Sequence, residues 1–315
     1  MRRDENLRLA VRKCITMKAM GSDPPAFQPQ EEGPVRVSPG VEPEILPPGY
    51  GYAVPPQPAR RRPQWVSSPA TYLLVGINCA VFLAMTLQGV SPMSPTGDQL
   101  LHWGADNAGA VLLYGQWWRI VSAMFVHVGL LHLATNMWCL WNLGLLAEPL
   151  MGSAGVLAVY LLTGAAGNLL STLVNQIFYP ATIGPGGTVS GAVGAGASGA
   201  VFGIAGALII LLKSHRLPVP LYELKRLRKS VIYFAAINLF LGISISGGTH
   251  LFGSGISIDN MAHIGGFSCG LLFATPMVPR LGSPRRLFVG RLRISVAMVV
   301  GLLVLFGFFL AQLPG

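Results

Sequence analysis

Residues 196–213 read Gly196-Ala197-Ser198-Gly199-Ala200-Val201-Phe202-Gly203-Ile204-Ala205-Gly206-Ala207-Leu208-Ile209-Ile210-Leu211-Leu212-Lys213. No ionisable side chain occurs before the closing lysine, and a glycine-laden stretch from Gly184 to Gly194 leads into it. A run this apolar belongs in a bilayer, yet it is short of the ~20 residues a spanning helix needs. A helix that begins inside the membrane, fed by flexible backbone, is the expectation. Its neighbours extend the pattern. Apolar segments lie at 70–88, 130–150, 154–177, 198–213, 231–244, 257–278 and 294–312, which predicts an all-α, polytopic membrane bundle with seven membrane segments.

Composition agrees. Hydrophobic residues are 52% of the chain and charged residues 11%, too few for a soluble surface. The formal net charge of +10 would suit nucleic acid, but its placement argues against that partner. Basic residues gather in the tail before residue 68, between segments four and five (Lys213, Arg216, Lys225, Arg226, Arg228, Lys229), and between six and seven (Arg280, Arg285, Arg286, Arg291, Arg293). The alternate loops carry Arg119 alone. The positive-inside rule then predicts a multi-pass cell-membrane protein with a cytoplasmic N-terminus and an external C-terminus. A bacterial plasma membrane is the expected setting.

Residues 1–68 hold twelve prolines and no sustained apolar period, so they are expected to form a disordered cytoplasmic tail. Residues 69–280 form the expected membrane core, and 281–315 a basic loop with one further helix. The external loop from Gly89 to Val128 carries Trp103, Trp117 and Trp118 and is long enough to have structure of its own. Cys14, Cys79, Cys139 and Cys269 have no metal-ligand spacing and read as packing residues.

Polar side chains within membrane segments are costly and mark function by default. Those that stand out are His132, Asn136, Glu148, Ser198, Asp259, Asn260 and His263, with His127 at the outer entry to segment two. Segments two, four and six run the same way, so depth can be counted from their basic ends. At ~1.5 Å per residue, Ser198 lies about 22 Å before Lys213, Asn136 about 24 Å before Gly152 and His263 about 25 Å before Arg280. All three reach one level, below the external surface.

A serine there needs a base, and Lys213 is at the wrong membrane face. His263 is at the right depth, so Ser198 and His263 form the expected catalytic dyad. Asp259 either orients the imidazole or caps the helix entrance. His132 and Asn136, spaced i, i+4, share a face and can both donate to an oxyanion. The first N–H groups of the Ser198 helix lack internal partners and point the same way. Gly196 and Gly199 permit close approach of a substrate chain, although Gly199 and Gly203 would equally serve plain helix packing. His127 does not share the His132 face and reads as a loop anchor; Glu148, with Gly144 and Gly152, reads as structural.

These residues resemble the rhomboid family of intramembrane serine proteases over roughly 70–280. The matching features are Trp118-Arg119, His127-x4-His132-x3-Asn136-Met137, Gly144-x3-Glu148-x3-Gly152, Gly196-Ala197-Ser198-Gly199 and Ala262-His263-x2-Gly266-x3-Gly270. Five pieces in order are specific where each alone is modest. The resemblance implies a six-helix core, to which the seventh segment is an addition. It implies Ser198 as nucleophile, His263 as general base, and His132, Asn136 and the Ser198 N–H as oxyanion hole. Gly266 and Gly270 would let segment six pack closely on segment four. Expected substrates are transmembrane proteins, cut near the outer surface. Phe202 stands where bacterial relatives often have Tyr; its ring can stack on His263 without the hydroxyl.

No cofactor or metal is expected. The alternatives are an inactive relative that binds membrane clients, disfavoured because Ser198 and His263 are both present, and a metal hydrolase using His127, His132 and His263. The latter lacks HExxH and a carboxylate at ligand spacing. An aspartyl protease would need a membrane partner for Asp259, and nothing suggests the repeats of a transporter. The Gly- and Ser-rich loop from Ser244 to Ile256, with Leu251 and Phe252, is the expected lid. Oligomeric state is not legible.

Overall fold

A computed structural model describes residues 68–184, 190–214, 217, 220–247, 259–280 and 284–313. Residues 1–67 of the tail and residues 248–256 of the expected lid lie outside the described residues. Helices run in the order α1 (Pro69–Leu87), α2 (Gly97–His102), α3 (Ala108–Leu112), α4 (Arg119–Ser122), α5 (Leu130–Phe178), α6 (Ser198–Leu211), α7 (Leu221–Gly247), α8 (Asn260–Ala274) and α9 (Arg285–Leu310). A 3₁₀ segment, Thr275–Arg280, prolongs α8. Asp106 and Gly194 form an isolated β-bridge.

The 49 residues of α5 would measure about 74 Å as one rod, far beyond a ~30 Å hydrocarbon core. Gly152 divides them. Its φ of 75° and ψ of 167° are not helical, and glycine reaches that φ without the clash a Cβ brings. Beyond it the chain doubles back. Tyr160 Oη donates to Met124 O at 3.3 Å, and Asn168 Nδ2 donates to Ile120 O at 2.8 Å. Residues 130–151 and 153–178 are therefore two membrane segments, and the described bundle has seven.

Lipid tails are as apolar as leucine, so packing and hydrogen bonds rather than water exclusion hold the helices together. Glu148 supplies a polar clasp at the basic end. It accepts from Ala70 N and Thr71 N at 2.9 Å, from Thr71 Oγ1 at 2.7 Å and from Ser153 Oγ at 2.6 Å. The first turn of α1 is thereby fixed to the Gly152 turn. Gly144 makes room for it, since a Cβ there would lie 2.6 Å from Thr71 Cγ2.

Two helices start earlier than the apolar runs predict. α7 begins at Leu221, ten residues before 231, and α9 at Arg285, nine before 294. Lys, Arg, Glu and Leu are good helix formers, so a charged stretch outside the hydrocarbon still continues the helix. α7 also takes in Ser244 to Gly247, which the sequence reading had assigned to the lid. The loop between α1 and α5 is folded. Thr96 and Gln99 close a capping box on α2, and Asn107 caps α3 through Ala110 N. The far end of α9 packs against this loop: Leu310 joins Val111, Ile120 and Leu169 in one buried cluster bordered by Trp117.

Candidate active site

Ser198 is the first residue of α6, half-buried, directly after a loop drawn tight from three sides. Asp106 and Gly194 exchange two backbone hydrogen bonds, at 2.7 and 2.8 Å. Gly196 N donates to Ala123 O at 2.9 Å. Ala197 N donates to His127 Nε2 at 3.4 Å. Gly196 has φ 133°, and a Cβ there would lie 2.6 Å from His132 Cε1, so backbone conformation and space both require glycine.

α6 is buried almost throughout, including Gly199, Phe202, Gly203 and Gly206. Its seam with α8 is backbone against backbone. A Cβ at Gly266 would overlap Gly199 O, and one at Gly270 would overlap Gly203 O. A Cβ at Gly199 would lie 3.2 Å from Ala262 O, the carbonyl preceding His263. Thus the first turn of α6, carrying Ser198, abuts the first turns of α8, carrying His263. The small-residue packing is what brings these two helix starts together. One turn after Ser198, the Phe202 ring stacks on the His263 imidazole, with centroids 4.3 Å apart and planes 10° from parallel.

Neither ring is saturated with partners. His263 Nδ1 and His132 Nδ1 are buried without a hydrogen bond among the described residues. Asp259 takes the N-cap of α8: Oδ1 accepts from Ala262 N at 2.9 Å, and Oδ2 accepts from Ser171 Oγ. Asn136 is buried on the same helix face as His132, and Nδ2 donates to His132 O at 3.0 Å. An amide of this kind keeps a second N–H for another acceptor.

His127 holds a more central place than its spacing predicts. It is fully buried, 5.3 Å from the His132 ring, with Nδ1 3.4 Å from Phe125 O. A proton on Nδ1 leaves Nε2 free to accept from Ala197 N, so the ring steadies the residue before Ser198. His127 precedes Gly129, the N-cap of α5, and so sits in the loop rather than on the helix face of His132. Trp118 is exposed, and Arg119 lies over its ring at 4.6 Å while donating through one nitrogen to Leu101 O and Ala105 O. Both belong to the loop framework, away from the serine.

Three residues that the sequence reading passed over also meet here. Asp106 is 4% exposed, and its Oδ2 accepts from Thr172 Oγ1 at 3.1 Å, beside Ser171. The available signal was scarcity: Asp98 and Asp106 are the only acids between residues 69 and 147. Among the described residues no group of three His, Cys, Asp or Glu side chains could hold a metal ion.

The family model for the rhomboid domain matches residues 114–280. The chain is 30% identical over 239 residues to rhomboid protease GluP of Bacillus subtilis (strain 168), covering 76% of this chain and 40% of that protein. It is 31% identical over 229 residues to rhomboid protease AarA of Providencia stuartii, covering 72% and 77%. Rhomboid-like protease 2 of Toxoplasma gondii is 29% identical over 197 residues, covering 62% and 60%.

Proposed function

This chain belongs to the rhomboid family of intramembrane serine proteases, and we propose that it is an endopeptidase cutting transmembrane proteins with a Ser198–His263 dyad. The observation that carries the reading is the glycine seam. It sets the helix start bearing Ser198 against the turn bearing His263, with Phe202 stacked on the imidazole.

In this mechanism His263 takes the Ser198 Oγ proton as the oxygen attacks a substrate carbonyl. The tetrahedral oxyanion meets the Ser198 N–H, the free N–H of the Asn136 amide and the His132 imidazole. His263 then returns the proton to the leaving amine, and water repeats the cycle on the acyl-enzyme. Gly196 yields to the His132 ring and Gly199 to the α8 backbone, so both are assigned to shaping the site around Ser198. Asp259 serves as helix cap rather than third triad member, because both of its oxygens are engaged away from His263. Trp118, Arg119, His127, Glu148, Gly266 and Gly270 are assigned the framework.

The topology proposed is a multi-pass cell-membrane protein with residues 1–68 cytoplasmic and the Ser198 end of the bundle external. Residues 69–280 form the protease core, and 281–315 supply a basic loop and an added helix. Oriented vesicles carrying single cysteines in a background free of Cys14, Cys79, Cys139 and Cys269 test this. Ser94→Cys should react with an impermeant thiol reagent from outside and Lys229→Cys only after permeabilisation; the reverse pattern overturns the orientation.

The chemical test is labelling of the purified protein with a serine-directed fluorophosphonate. Wild type should label and Ser198→Ala should not, and chelators should leave wild type unchanged. Cleavage retained by Ser198→Ala would refute the mechanism.

A further inference from the structure

Two carboxyl groups hang from successive residues of α5 on either side of the loop that carries Ser198. Asp106 Oδ2 accepts from Thr172 Oγ1, and Asp259 Oδ2 accepts from Ser171 Oγ. Gly194 lies between them: a Cβ there would be 3.6 Å from Asp106 Cβ and 3.7 Å from Asp259 Oδ2. Asp106 holds Gly194 through two backbone hydrogen bonds, four residues before Ser198. Asp259 caps α8 four residues before His263. Asp106 Oδ1, meanwhile, is buried with no hydrogen-bond partner among the described residues.

Resting on the proteolytic reading of Ser198, we propose that Asp106 is a positioning residue: protonated, it holds the Ser198 loop against α8, and its ionisation releases that hold. A buried carboxylate needs several donors, and Asp106 receives one side-chain hydroxyl. Burial pushes its carboxyl up from the ordinary 3.8 to about 7; the Thr172 hydroxyl opposes this, Asp259 adds to it, and the Asn107 backbone and Arg119 oppose it again. The charged groups facing it are Asp259 from the α8 cap and Arg119 from its own loop. α5 offers the Thr172 hydroxyl, and the Ser198 loop offers backbone.

The sign follows. A folded-state value above the unfolded one means that Asp106 contributes stability fully present below about pH 4 and lost as pH rises through about 7. Once charged, the carboxylate is drawn toward water and Arg119, and the Gly194 bridge loosens. Reactivity at Ser198 follows the folded-state ionisation alone and should fall above about pH 7.

The test is the rate of fluorophosphonate labelling of the full chain in liposomes across pH, with thermal unfolding measured in parallel. Wild type should lose about tenfold in rate per pH unit above neutrality, the slope of one group whose ionised form is inactive. Asp106→Asn should label without that falling limb. Thr172→Val removes a donor to the carboxylate and should move the limb to higher pH. Asp259→Asn keeps a capping side chain, removes a like charge and should move it to lower pH. A limb that survives Asp106→Asn, or that neither flanking variant displaces, overturns the proposal. If no variant labels at any pH, the serine-protease reading has failed. The hold is then judged by the unfolding temperature, which must decline through neutral pH in wild type and stay level in Asp106→Asn. Should Asp106→Asn not fold, the opposite displacements from the two flanking variants decide.

Discussion

The two flanks of α6 are built on opposite plans. Toward α8 the helices meet through glycines, carbonyl against α-carbon, with no side chain between them. Toward α7 they stand apart, and an apolar cavity of about 430 Å³ separates them, lined by Phe202, Ile209, Ile232, Leu239, His263 and Phe267 among others. Glycine contacts leave no rotamers to adjust, so the first flank fixes Ser198 and His263 in one geometry. Long side chains around a void can rearrange, so the second flank gives way first. Rigidity is concentrated where the proposed dyad sits and withheld beside it.

The largest effect should come from filling the tight flank. Gly266→Val puts a branched side chain into Gly199 O and should abolish cleavage and lower the unfolding temperature together. Gly290→Ala, on α9 with open space around it, is the control and should change neither. A Gly266→Val protein that cuts at the wild-type rate would end the comparison.

Asn136→Ala asks whether the polar residues behind that flank act in chemistry or in packing. Turnover should drop by about two orders of magnitude, the scale of one lost oxyanion donor. The unfolding temperature should hardly move. Unfolding with full turnover in the surviving fraction would make Asn136 structural.

Phe202 touches both flanks, so Phe202→Leu sharpens the contrast. It keeps apolar bulk and removes the stack on His263, worth about 0.5–1.5 kcal/mol. A loss of up to about tenfold in turnover is expected, read from initial rates of cleavage. The smallest effect belongs to Leu239→Ala on the loose flank. Because Leu239 already borders a cavity, its cost in thermal or denaturant unfolding should fall below the ~2 kcal/mol lower bound for core leucines.

How much of this was legible in the sequence varies with the physics of each signal. Seven segments, the Gly152 break and the common depth of Ser198, Asn136 and His263 follow from hydropathy and helical rise, which are local. The starts of α7 and α9 were missed because Lys225 to Lys229 and Arg285 to Arg293 read as loop by charge while their propensity is helical. His127 was legible only as a loop residue, because its partner Ala197 lies 70 residues away and no local pattern records that contact. Asp106, Thr172 and Ser171 were invisible for a third reason. Thr172 reaches Asp106 across 66 residues and Ser171 reaches Asp259 across 88, and no periodicity records such contacts. The glycines of α6 had two readings, packing or chemistry, and the fold uses the packing to place the residues assigned to the chemistry.

The Glu148 clasp has a mechanical consequence. The first turn of α1 sits where four donors converge on one carboxylate, at the Gly152 turn. Asn136 lies about 18 Å farther along the same helix. A pull or a docking partner acting on the leading segment is therefore borne at that end, as a rope is borne by its cleat, and the strain stops there. The bundle is moored at one pole, and the chemistry proposed for it lies at the other.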